Sequence, residues 1–66
     1  MEDDYQIVKR AFSKYITQED WDVQGNPIIK AKIGKVEITF YFIGDAYRDE
    51  ADLDNIIVQE NEKNEN

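Results

Sequence analysis

The chain contains neither cysteine nor histidine, and this double absence removes whole classes of chemistry. Without Cys there is no disulfide to staple a small fold and no thiolate nucleophile. Without His there is no imidazole base, and with both missing no Cys/His zinc site is possible. The single serine, Ser13, falls on the polar side of a predicted helix. Three glycines lie scattered, so no glycine-rich loop can cradle a phosphate. No stretch approaches the ~20 apolar residues of a membrane span. The opening MEDDYQIVKR is acidic where a secretory leader is basic and then apolar. The expectation is a cytoplasmic protein with no catalytic residues, no cofactor and no metal.

What is present fits one domain. A 66-residue chain buries only about 60% of the surface its unfolded form exposes, so its core is marginal. With disulfides and zinc excluded, a partner remains as the extra source of stability. The net charge is −7, unevenly spread. Residues 1–43 hold seven acids and six bases; residues 44–66 hold eight acids and two bases. Phosphate repels such a chain, so direct nucleic-acid binding is not expected, whereas basic surfaces attract it.

The hydrophobic spacing predicts an α+β fold of two layers. Tyr5, Val8, Phe12, Tyr15 and Ile16 form one stripe of a helix over residues 3–17. Asp3 or Asp4 suits the N-cap of that helix. Residues 28–43 predict a hairpin turning on Gly34-Lys35. That turn sets Ile33 opposite Val36, Ala31 opposite Ile38 and Ile29 opposite Phe40 on one face. The other face then pairs Lys32 with Glu37, Lys30 with Thr39 and Ile28 with Tyr41. Trp21 to Gln24 reads as a short preceding strand, completing a three-stranded antiparallel sheet under the helix. Residues 49–58 are read as a short capped helix, with a fourth strand as the alternative that Ile56-Ile57-Val58 suits equally well. The domain is expected over 1–60, with 61–66 as a disordered acidic tail.

Two sets of residues stand out at the junction VEITFYFIGDAYRDEADLD. Tyr41, Ile43, Ile28 and Trp21 are expected on the reverse face of the sheet, which is too apolar for open water. That face needs cover from the C-terminal segment, a second copy or a target. Asp45, Tyr47, Asp49, Glu50, Asp52 and Asp54 follow it, and on a helix their carboxylates would stand in a self-repelling row. Glu50, Asp52 and Asp54 also have the 1, 3, 5 spacing of a calcium loop. Asn55 and Asn61 stand where such a loop needs Gly and Glu.

The function these features imply is non-catalytic binding of a protein with a basic surface. Its sharpest version is an inhibitor that mimics nucleic acid, of the kind phages and mobile elements encode. Two alternatives stay open: an assembly subunit forming a homodimer through the apolar sheet face, and a module that binds divalent cations weakly.

Overall fold

The computed structural model describes residues 1–60. One N-terminal helix packs on a four-stranded antiparallel sheet, a small α+β domain. The strands run in sequence order: β1 (Ile16–Trp21), β2 (Pro27–Ile33), β3 (Val36–Ile43) and β4 (Asp52–Glu60). The helix α1 covers Asp4–Ala11, and a 3₁₀ turn occupies Ala46–Arg48. No helix among the described residues is long and apolar enough to cross a membrane. The tail expected over residues 61–66 lies outside the described residues.

The hairpin register follows from its turn. Gly34 has φ +61°, and all six expected pairs form, from Ile33 opposite Val36 to Ile28 opposite Tyr41. A slip of one residue would send the apolar set to the wrong face. Ile29, Ala31, Phe40 and Phe42 therefore lie buried beneath the helix, joined by Tyr5, Val8 and Ala51. Tyr5 meets Phe42 edge to face at 5.3 Å between ring centres, and Phe12 meets Phe40 at 5.1 Å. Such aromatic pairs add about 0.5–1.5 kcal/mol each beyond their buried area.

Three expectations need correction. The helix ends at Ala11 instead of residue 17. Tyr15-Ile16-Thr17 is aromatic and β-branched and prefers a pleated surface; Ile16 opens β1, and the Tyr15 carbonyl accepts the N–H of Lys32 at 2.9 Å. The first strand accordingly precedes the expected Trp21–Gln24. Asp22 to Asn26 form a turn, in which the Asp22 carboxylate accepts the N–H groups of Gln24 and Asn26, each at 2.9 Å. Finally, of the two alternatives for residues 49–58, the strand is the one formed. β4 adds a fourth strand alongside β3, because β3 has an open edge whose N–H and C=O groups need partners and Ile56-Ile57-Val58 suits a strand. It therefore extends the sheet and leaves the reverse face uncovered.

Candidate functional site

The loop between β3 and β4 sets the site's shape. At Gly44 the chain turns with φ +128°, and a Cβ there would lie 2.1 Å from the Glu50 carbonyl oxygen. Only glycine admits so close an approach. The Gly44 N–H donates to Asn26 Oδ1 at 3.1 Å, fastening the β1–β2 turn to the end of β3. Across the sheet, β4 pairs with β3 through a bulge at Asp54, so that Asn55 faces Tyr41 and Leu53 faces Phe42. A bulge of this kind bends its strand and re-aims side chains.

Between the fastened turn and the bulge, the reverse face forms a concavity of about 380 Å³. Ile28, Tyr41, Ile43 and Ile57 supply its apolar lining, and Asp22 and Asp54 stand among them. Ile43 and Ile57 are 55% and 42% exposed, so the lining is open to solvent. Asp20, opposite Ile28 on β1, and Asp52, opposite Ile43 on β4, add acids to the same face. Backbone bonds, that from the Asn26 N–H foremost, hold the Asp22 carboxyl below its usual range, so it stays ionised. Farther along the face the character changes to mixed charge, with Lys30, Lys32 and Glu37 around a second hollow of about 330 Å³. No family model, curated protein or solved structure matches the chain. The site's chemistry therefore rests on its own geometry.

That geometry redistributes the expected residues. Of the six expected after Gly44, Asp54 alone lines the concavity with Tyr41, Ile43 and Ile28. Asp45 caps the 3₁₀ turn, its Oδ1 accepting the Tyr47 N–H at 2.9 Å. Asp49 adopts a left-handed conformation at φ 60°, and its Oδ1 accepts the Asp3 N–H at 3.3 Å. Glu50 is exposed just before β4, and Asp52 is its first residue. The regular helical row is absent, since these acids span a turn and a strand. Among the described residues no group of three Asp or Glu side chains is placed to hold a metal ion.

Trp21 also departs from expectation. It pairs with Pro27 and so belongs to the helix side of the sheet, the side of Ile29 and Ala31. There it lines a smaller cleft of about 190 Å³ with Tyr5, Lys9, Glu19 and Tyr47. Trp21 and Tyr47, expected in separate sets, thus line one cleft on the opposite side from Tyr41. Sequence reasoning missed Asp22, Asn55 and Ile57. The signal for Asp22 was the Asp-x-x-Gly-Asn spacing of a turn, obscured by reading Trp21-Asp22-Val23-Gln24 as a strand. Asn55 and Ile57 needed the bulge, which no residue pattern announces.

Proposed function

We propose that the chain is a non-catalytic protein-binding module that receives a basic, partly apolar segment of another protein on the open face of its sheet. The observation that carries this reading is the meeting of Ile28, Tyr41, Ile43 and Ile57 with Asp22 and Asp54 in one concavity. Apolar surface supplies affinity, at roughly 25 cal/mol per Å² removed from water before the costs of association. The acids around it select cationic partners and speed their approach. Phosphate would be repelled by the same acids, so the segment belongs to a protein and not to a nucleic acid. In its sharpest form, the partner's basic surface is one that otherwise holds nucleic acid, and occupying it inhibits that partner.

The test uses a defined probe, a peptide of alternating Lys and Leu, titrated into the isotope-labelled chain and followed by amide NMR. Shifts are expected at Ile28, Tyr41, Ile43, Asn55 and Ile57, and they should weaken steeply with added salt. Asp54→Asn and Ile43→Ala should each lower affinity by roughly tenfold. Shifts confined to the Trp21–Tyr47 cleft, or binding indifferent to both substitutions, would refute the proposal.

A further inference from the structure

The two edges of the sheet are treated differently. β1, at one edge, carries Thr17, Gln18, Glu19 and Asp20, and its pairing with β2 is interrupted between Ile16 and Gln18. Charges and bulges of this kind blunt an edge against pairing with another chain. β4, at the other edge, is nine residues long, and five successive residues of it, Asn55–Gln59, include no charge and no proline. Two of its N–H groups are held by side chains instead of a strand: Leu53 by Asp4 Oδ2 at 2.8 Å and Ile56 by Asn55 Oδ1 at 2.9 Å. Both faces of this edge are also bare. The helix covers Ile29, Ala31, Phe40 and Phe42 but leaves Leu53, Ile56 and Val58 at 37%, 45% and 62% exposure on its own side.

We infer that β4 pairs with β4 of a second copy, antiparallel, joining the two sheets into one of eight strands. The occupant is a second copy because β4 matches itself in one register. With Ile57 on the two-fold axis, Ile57 faces Ile57, Ile56 faces Val58 and Asn55 faces Gln59, an uninterrupted neutral block. The like-charged pair Asp54–Glu60 falls only at its ends. Placing Ile56 on the axis instead opposes like charges equally, Asp52 against Glu60, and also breaks the apolar block by setting Val58 against Asp54. In the first register, with both helices on one side of the joined sheet, Ile56 and Val58 of each copy gather between the helices. Ile57, already part of the concavity on the reverse face, brings the two concavities together across the axis. This pairing does not rest on the proposed partner, and salt separates the two. Each copy carries −7, so screening should tighten the dimer while it weakens capture of a basic segment.

Sedimentation equilibrium of the full chain should give twice the 7.8 kDa monomer mass, more completely at high salt. Ile57→Lys, at an exposed position, should weaken the dimer by at least about tenfold while the circular dichroism of the fold is retained. Ile57→Cys should form a disulfide between copies under mild oxidation, because opposed residues of an antiparallel pair lie within disulfide reach. Val23→Cys, in the β1–β2 turn and fully exposed, should not. A monomer at millimolar concentration and high salt, or equal cross-linking at positions 23 and 57, would overturn the inference.

Discussion

Asp3 and Ala51, 48 positions apart, are joined by a buried hydrogen bond in which the Ala51 N–H donates to Asp3 Oδ2 at 2.9 Å. The other oxygen of that carboxylate accepts the Gln6 N–H at 2.9 Å and caps α1. One side chain, 6% exposed, therefore starts the helix and fastens it to the approach to β4. The Asp49 carboxylate returns the contact by accepting the Asp3 N–H.

Replacing Asp3 by Ala removes the cap, worth about 1 kcal/mol, and orphans the N–H of a fully buried residue, worth about 1–3 kcal/mol. Urea unfolding is expected to show a loss of about 2–4 kcal/mol. A loss below about 0.5 kcal/mol would mean that water replaces the carboxylate at both N–H groups.

Gly44 and Gly34 make a matched comparison. Both have positive φ, but a Cβ at Gly34 meets nothing within 4 Å, whereas one at Gly44 collides with the Glu50 carbonyl. Gly34→Ala should cost about 1 kcal/mol, the penalty of the left-handed backbone. Gly44→Ala should cost more than about 2 kcal/mol or prevent folding, because backbone must also move. Thermal melting of the two variants checks the order.

Tyr5 should ionise late. Burial, followed by its hydrogen bond to the Glu19 carboxylate at 3.0 Å, raises its pKa from 10.0 to about 12. The unfolded chain gives up this proton first. The associated stability is therefore whole below pH 10 and is lost as pH climbs toward 12. Absorbance titration at alkaline pH should show one late phase that Tyr5→Phe abolishes and Glu19→Gln moves to lower pH.

Trp21 is the only tryptophan and lies on the helix side, 45% exposed. A basic segment bound on the reverse face should leave its fluorescence maximum unmoved, whereas binding in the cleft it shares with Tyr47 should shift the maximum. Titrating the Lys-Leu peptide while recording emission distinguishes the two surfaces.

The hairpin shows how far local information reaches. Gly34 fixes the turn, the turn fixes the register, and the register sorts Ile29, Ala31, Phe40 and Phe42 from Lys30, Lys32 and Glu37. Each step involves neighbours along the chain or directly across one turn, so composition and spacing suffice. The same holds for the Asp3 cap and for the absence of Cys and His chemistry.

Residues 45–58 obeyed a different rule. The acids and the Leu53, Ile56, Ile57 spacing of residues 49–58 fit a helix locally, and a helix would have set Asp49 beside Asp52 and Glu50 beside Asp54. The open edge of β3 offered that segment a full ladder of backbone hydrogen bonds, and the bare Gly44 let it turn back to take them. The concavity that Asp22, Tyr41 and Asp54 line was decided there, because it joins three separate stretches of chain and depends on a bulge and a turn that have no periodic signature. Sequence alone set the charge, the core and the hairpin; long-range pairing chose which carboxylates stand beside the exposed apolar face.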